Sequence, residues 1–184
     1  MADNRERLEQ AALAAVQRRG LKGLSFRTLA DDVGIKSSSV HYHFPDKSDL
    51  AGVLIERYSS EFFDTLADIE SRRWGLSRKL KAFAGVFESV AADNKLCLCG
   101  MMAAEFEQLD EANKLRLGQY FTRTEQWLTD LLGAHRDELT TTVSPEALAR
   151  SLLAGLEGAL LLDRVAGNGH RLKAQKEVML ALLK

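Results

Sequence analysis

Residues 36–43 carry a run of hydrogen-bonding side chains that no acidic residue interrupts. Its polar members are Lys36, Ser37, Ser38, Ser39, His41, Tyr42 and His43, and Val40 among them is apolar. A lysine, short hydroxyls, imidazoles and a phenol can donate hydrogen bonds to phosphate oxygens and base edges without much bulk. No Asp or Glu lies between Ile35 and Pro45, so this face is suited to contact with a polyanion.

A helix-turn-helix is predicted to position this run. Ser25 is a suitable N-cap for a helix over residues 26–33, and Gly34 follows where a residue with positive φ is expected. The run itself forms the second helix, which Pro45 ends near residue 44. The side chains expected to hold the two helices together are apolar: Phe26, Leu29, Ala30, Val33, Ile35, Val40 and Phe44.

The other segments predict helices as well, and none shows the alternation typical of a strand. Apolar residues recur every three to four positions along most of the 184 residues, which include only two prolines. We therefore expect an all-α fold of about nine helices. Their expected ranges are 5–18, 26–33, 36–44, 47–71, 76–92, 99–109, 111–132, 145–166 and 170–183.

Composition and charge narrow the classes of function. The formal net charge is −1, and residues 1–50 carry eight basic and seven acidic side chains, so charge alone does not mark a nucleic-acid binder. The sequence has no phosphate-binding glycine loop, nucleophile elbow or metal-ligand set, so we expect no enzyme, no metal and no other cofactor. Its longest apolar stretch is broken by Glu157 and the N-terminus lacks an apolar signal core, so a cytoplasmic protein without a membrane partner is expected.

Residues 25–50, which read SFRTLADDVGIKSSSVHYHFPDKSDL, closely resemble the DNA-binding signature of the TetR family of transcriptional regulators. The matching positions include Ala30, Gly34, Tyr42 to Pro45, Lys47 and Leu50, whereas His41 stands where many members carry tyrosine. The resemblance implies a DNA-binding domain at residues 1–50 and a ligand-binding and dimerisation domain at residues 51–184. It also implies a homodimeric repressor that a small-molecule effector releases from a palindromic double-stranded DNA operator.

The resemblance also implies which residues contact DNA. The recognition helix corresponds to residues 36–44, and flanking phosphates would be contacted by Thr28 and Lys47, the latter at a helix N-terminus. The side chains that would reach the major groove and its phosphates are Lys36, Ser37, Ser38, Ser39, His41, Tyr42 and His43. An alternative role remains open for His43, which can instead pack under Phe44.

Large apolar side chains beyond residue 50 are suited to the walls of an effector pocket. The candidates are Phe62, Phe83, Phe87, Met101, Met102, Phe106, Tyr120, Phe121 and Trp127. Each of them can equally well fill an ordinary core, and the pocket itself is implied by the resemblance.

The helix predicted over residues 145–166 is apolar on nearly all sides, so we expect it to be buried on two sides. Its face, together with the last helix, predicts a symmetric dimer interface. The candidate interface residues are Leu152, Gly155, Leu156, Ala159, Leu160, Val178 and Leu182.

Cys97 and Cys99 lie at or just before a predicted helix N-terminus, where the helix dipole favours a thiolate. They are therefore candidates for sensing oxidants or electrophiles, and the alternative is that both are small buried hydrophobic residues. A nearby set of acids, Glu105, Glu107, Asp110 and Glu111, is interpreted as a solvated helix face and loop. A helical adaptor that binds proteins through residues 1–50 is a third class, which the acid-free face disfavours.

Overall fold

The computed structural model describes residues 4–184. Within that range the chain forms nine α-helices, and its only β-type pairing is an isolated bridge between Leu139 and Leu183. The helices are α1 Asn4–Arg19, α2 Phe26–Val33, α3 Ser37–His43, α4 Lys47–Ser71, α5 Leu76–Ala92, α6 Leu98–Ala104, α7 Glu111–Ala134, α8 Pro145–Ala166 and α9 His170–Ala181. The predicted all-α fold is confirmed, and α2, α4, α5 and α8 have the predicted bounds.

The helix predicted over residues 99–109 is wrong in its second half. α6 ends at Ala104, and Phe106–Gln108 form a single 3-10 turn instead. Glu105 between them leaves the helical backbone region, with φ −112° and ψ 25°, and its carboxylate accepts a hydrogen bond from the backbone N–H of Lys22 at 3.0 Å. A contact with a residue 83 positions away therefore accompanies the end of this helix.

The described chain divides into two compact units. The first unit contains residues 4–61 and 98–118, and the second contains residues 62–97 and 119–184. These units do not follow the division at residue 50, since the start of α4, all of α6 and the start of α7 belong with the first three helices. The functional assignment of residues 1–50 and 51–184 stays a prediction.

Buried leucine, valine and phenylalanine side chains hold the first unit together. α1 buries Leu8 and Val16 completely, and α1 packs against both α2 and α6. The guanidinium of Arg7 on α1 donates to the carbonyl of Val33 at 2.7 Å, which satisfies one of the carbonyls left open at the end of α2. The first unit thus fixes both helices of the predicted helix-turn-helix.

The second unit is built on α5, α8 and α9, which pack against one another. Asp163 near the end of α8 is buried and accepts hydrogen bonds from the backbone N–H groups of Arg171 at 3.0 Å and Leu172 at 2.9 Å. Burial raises the pKa of this carboxyl, but the hydrogen bonds outweigh burial and lower it overall. Asp163 therefore caps the first turn of α9. Of the helices in residues 4–184, none is long and apolar enough to cross a membrane.

Candidate nucleic-acid interface

The turn between α2 and α3 depends on Gly34. Ser25 caps the start of α2 by accepting from the N–H of Thr28 at 3.5 Å, and Gly34 ends the helix with φ 74° and ψ 39°. The N–H of Ile35 then donates to the carbonyl of Ala30 at 3.0 Å, which closes the turn. A Cβ at Gly34 would meet no atom within 4 Å, so it is the positive φ that favours glycine here, and not lack of space.

Two buried side chains anchor α3 and decide which side of it faces out. Val40 is buried, and Phe44 just beyond the helix is also buried, with its N–H donating to the carbonyl of Val40 at 2.8 Å. The guanidinium of Arg5 lies 5.4 Å from the centre of the Phe44 ring, within the range of a cation–π contact. The side of α3 opposite these anchors is left to solvent.

The outward side of α3 carries most of the predicted contact residues. Tyr42 is 85% exposed. Lys36, Ser37, Ser38 and His41 are also exposed. Ser39 and His43 were expected on the same solvated face, but both are half-buried. They lie four positions apart on one flank of α3, and the His43 ring contacts the rings of Tyr42 and Phe44. These two side chains therefore present less of themselves to a partner than predicted.

His41 is held in a defined orientation. Its ring centre lies 5.1 Å from that of Phe26 in an edge-on arrangement, and its Nδ1 lies 3.4 Å from the carbonyl oxygen of Pro45. When Nδ1–H donates to that carbonyl, the neutral ring has Nε2 as an acceptor, and protonation turns Nε2 into a donor. His41 can thus contact either a base amino group or a phosphate, depending on its charge.

The flanking contacts are placed on α2 and α4. Thr28 is exposed in the first turn of α2, and Lys47 is exposed as the first residue of α4. Asp46 caps α4, because its Oδ1 accepts from the N–H groups of Ser48 at 2.7 Å and Asp49 at 2.9 Å. Two N–H groups at this helix N-terminus are therefore already occupied, and the side chain of Lys47 is the group left to meet a phosphate.

Comparison with known proteins supports the same reading. Residues 9–54 match the family of bacterial regulatory proteins described as the tetR family. An HTH-type transcriptional regulator from Staphylococcus aureus is 26% identical over 82% of this chain and 78% of its own length. The crystal structure of a TetR transcriptional regulator from Legionella pneumophila is 27% identical with a TM-score of 0.92, covering 100% of this chain and 99% of its own. A TetR-family regulator from Agrobacterium tumefaciens is 29% identical, also with a TM-score of 0.92, covering 98% and 97%.

The chain belongs to the TetR family. It is a DNA-binding transcriptional regulator of the helix-turn-helix type, and the relatives named above are regulators as well. The resemblance inferred from residues 25–50 is confirmed.

The predicted effector-pocket residues of this TetR-family regulator do not form one cluster within either unit. Met101, Met102 and Phe106 belong to the first unit, where Phe106 is exposed and lies under the Lys114 ammonium at 5.3 Å. The other six belong to the second unit. There Phe62, Tyr120 and Phe121 form one aromatic group, and Phe83, Phe87 and Trp127 form another, with ring centres 5.2 to 5.5 Å apart in each.

A cavity of about 480 Å³ in the second unit is lined by none of the predicted pocket residues. It lies where the end of α5 meets the turn between α8 and α9, and its walls include Glu88, Lys95, Leu160 and Asp163. Both carboxylates have partners, since Glu88 pairs with Lys176 and Asp163 caps α9.

Most residues of the predicted dimer face are covered within the second unit, and the interface itself stays a prediction. Leu152, Leu156, Ala159 and Leu160 are buried, because α5 and α9 pack on this side of α8 within the second unit. Gly155 is half-buried, and a Cβ there would meet the side chain of Gln175 on α9. Leu182 is half-buried, and Val178 is exposed. The exposed apolar side chains lie on the other side and are Leu161, Leu162, Val165 and Val178, which are 55%, 52%, 87% and 58% exposed.

Cys97 directly precedes α6 and Cys99 lies in its first turn, as predicted, and both thiols are buried and form no disulfide. The Sγ of Cys97 lies 3.8 Å from the hydroxyl of Tyr120, and its thiol also hydrogen-bonds to Glu157. Sequence reasoning missed the role of Glu157 and used it only to exclude a membrane span. An acid in the middle of the apolar segment 152–162 was the available signal.

Sequence reasoning also missed a polar network in the first unit. Asp110 accepts a hydrogen bond from the hydroxyl of Ser48 and another from the N–H of Asn113 at 2.7 Å, and these bonds lower the pKa of Asp110. The buried amide of Asn113 donates to the carbonyl of Ser48 at 2.9 Å. Asp110 and Glu105 thus bind groups far away in the sequence. Glu107 and Glu111 are exposed, as interpreted for the whole set, and Glu111 pairs with Lys114 one turn along α7 at 2.9 Å.

Proposed function

We propose that this TetR-family regulator is a homodimeric repressor that binds a palindromic operator through residues 1–50 and is released by a small molecule bound to residues 51–184. The observation that carries the DNA-binding part is the outward side of α3, where donors face solvent and no acid interrupts them. The major groove is wide enough to admit such a helix and offers acceptors to it. The regulator would act in the cytoplasm, where its operator lies.

The proposed DNA-contact residues fall into those that would reach base edges and those that would reach phosphates alone. Tyr42 is 85% exposed, and with Ser37, Ser38 and His41 it would meet base edges and the neighbouring phosphates. Lys36 would contact phosphates alone. Thr28 and Lys47 flank this group on α2 and α4 and would fix the protein on the backbone. Ser39 and His43 would contribute least, because they are partly covered.

The homodimer would form through the exposed apolar side of α8 and α9. Leu161, Leu162, Val165 and Val178 leave apolar surface in water, which association would remove. A two-fold axis would present two α3 helices to successive turns of the duplex, roughly 34 Å apart. Each operator half-site would then be read by one subunit.

An alternative signal is chemical modification of Cys97 or Cys99. Their position at the start of α6 favours it, and the burial of both thiols disfavours it. Treatment of the DNA complex with a maleimide distinguishes a thiol signal from thiols that are merely buried. Release of DNA on alkylation, absent from a Cys97→Ser and Cys99→Ser double variant, would support the thiol signal. Alkylation without release would exclude it.

Capture of sheared genomic DNA by the purified protein tests the proposed function. We expect enrichment of a palindromic site near a promoter. A Ser38→Glu variant, which puts a carboxylate on the outward side of α3, should lose that enrichment through repulsion of the phosphates. The matched variant Ser89→Glu, on an exposed position of α5, should retain it. Lack of enrichment at every salt concentration, or full binding by Ser38→Glu, would contradict the proposal.

Sedimentation at micromolar concentration tests the dimer. We expect a dimer for the wild type and a monomer for Leu162→Glu, because a charge buried in an apolar interface is costly. Leu115→Glu, at an α7 position that is 63% exposed, serves as the control and should stay dimeric. A wild-type monomer, or a dimeric Leu162→Glu variant, would rule out this interface.

A further inference from the structure

Glu157 is a half-buried residue in the middle of α8, and its carboxyl oxygen Oε1 is enclosed by the protein. It lies between Leu156 and Gly158, and no charged residue lies within five positions of it on either side in the sequence. Burial raises the pKa of its carboxyl from 4.5 to about 7, although a hydrogen bond with Cys97 acts in the opposite direction. No group in residues 4–184 donates a hydrogen bond to its Oε1, which is shielded from solvent.

This arrangement does not stabilise the second unit. A buried oxygen without a donor loses its hydration and gains nothing in return, whereas a leucine of similar size would pack at α8 without that loss. Asp163, the buried acid near the end of α8, is by contrast engaged in capping α9. Glu157 caps no helix, and its Oε1 has no donor within the described chain, so a ligand could supply that donor.

A chain of contacts leads from this carboxyl through Cys97 to a group of aromatic rings. Its partner Cys97 is 3.8 Å from the hydroxyl of Tyr120. The Tyr120 ring in turn contacts those of Phe62, Phe63 and Phe121, with centres 5.2, 5.8 and 5.2 Å away. A carboxylate near several aromatic faces is a combination that recognises an organic cation, because both groups attract positive charge and the rings hold an apolar body.

One of these rings already binds a cation. The guanidinium carbon of Arg123 lies 3.9 Å from the centre of the Phe63 ring. Arg123 is exposed, and its guanidinium donates no hydrogen bond to the shielded Oε1 of Glu157. The large cavity at the end of α8 is a weaker candidate for a cation, since the carboxylates of Glu88 and Asp163 there already have partners.

We propose that the effector is a lipophilic amine bearing one positive charge, whose N–H donates to Glu157 and whose apolar body packs against Phe62, Phe63, Tyr120 and Phe121. This rests on the proposed function, because an effector is meaningful only if a ligand controls DNA binding. The carboxylate distinguishes an amine from a neutral molecule of the same shape, and the rings accept many apolar bodies.

Calorimetric titration of the DNA-free protein with matched probes tests the charge preference. The probes are 4-phenylbutylamine, 2-naphthylmethylamine and 2-cyclohexylethylamine, each compared with the alcohol that has the same body. We expect the wild type to bind at least one amine ten times or more tightly than its alcohol, and E157Q to lose that preference. E88Q, which removes an acid of the same unit that pairs with Lys176, should keep the preference.

Absence of a preference in the wild type for all three pairs, or the same preference in E157Q, would overturn the assignment. If E157Q lacks a cooperative thermal transition, E157L is used instead, because leucine removes the carboxyl and fills a similar volume with apolar atoms. Operator affinity is measured separately with each probe. Amines that bind through Glu157 without releasing DNA would refute control of DNA binding by the ligand and leave the amine site standing. Release of DNA from E157Q by a neutral molecule would refute the amine as effector and leave control by a ligand standing.

Discussion

The outward side of α3 and the carboxyl of Glu157 use polar groups in opposite environments. On α3 the donors are exposed, and Tyr42 is almost wholly in water. Glu157 is a single acid enclosed by apolar segments, with a pKa raised to about 7. An exposed donor costs little before it meets its partner, whereas a buried acid already costs stability in the free protein. The first region therefore predicts effects on binding alone, and the second predicts effects on stability as well.

The largest expected effect concerns the pH dependence of stability. Because the pKa of Glu157 is about 7 in the folded chain and near 4.5 when exposed, the folded state is most stable below pH 4.5, where the carboxyl is neutral in both states. This stability is lost as the pH rises through 7, where the carboxyl must be buried as an anion. The loss amounts to about 3 kcal/mol between these limits. Urea unfolding from pH 5 to pH 8 should show it as a fall in stability that E157Q lacks.

Other groups titrate in this range as well, so the quantity to compare is the difference between wild type and E157Q at each pH. E88Q is the control and should run parallel to the wild type, because Glu88 pairs with Lys176 near the surface. Parallel curves for E157Q and the wild type would mean that Glu157 is not buried as an acid, which would remove the contrast between the two regions.

The next effect concerns the turn that presents α3. Gly34→Val places a β-branched residue at φ 74°, which costs about 1–3 kcal/mol. We expect a lower melting temperature and weaker operator binding, since α3 can no longer keep its angle to α2. Gly75→Val is the matched control, because Gly75 has φ −68° and a Cβ there meets no atom within 4 Å. Equal losses in both variants would show that the turn conformation is not what matters.

The fold was predictable wherever its causes are local. Ser25, Gly34 and Pro45 mark the ends of α2 and α3 through capping and fixed φ, and Ser144 with Pro145 marks the start of α8 in the same way. The outward side of α3 follows from those ends and from the apolar spacing, which decides which side of the helix is buried. Only the degree of exposure of Ser39 and His43 differed.

The rest depended on contacts between distant residues. α6 ends where Glu105 bonds to Lys22, and no local signal marks that end. In α8, leucines surround the helix, so the pattern indicated burial but not which side packs inside the unit. Glu157 acquires its meaning from Cys97 and Tyr120, which lie 60 and 37 positions earlier in the chain.

A moderate effect is expected at Tyr42, where exposure should separate binding from stability. Tyr42→Ala removes a side chain that is 85% exposed, so the melting temperature should barely change while operator affinity falls by about tenfold. Tyr42→Phe shows how much of that loss belongs to the hydroxyl. Phe106→Ala, an exposed aromatic of the same unit outside α3, should keep full affinity. Unchanged affinity of Tyr42→Ala would remove Tyr42 from the interface.

The smallest expected effect concerns Lys36 and Lys47 and appears in the salt dependence of operator affinity. Residues 1–50 carry nearly balanced charge, so hydrogen bonds and shape are expected to contribute more than bulk attraction. If Lys36 and Lys47 each neutralise one phosphate, a dimer makes four such contacts, and each substitution by Gln should reduce the slope of log K against log salt by about 2. Lys81→Gln, exposed on α5, should leave the slope unchanged. A slope that neither Lys36→Gln nor Lys47→Gln alters would move the phosphate contacts to other residues, whereas a change at Lys47 alone would assign the backbone contact to the start of α4 and leave α3 to base edges.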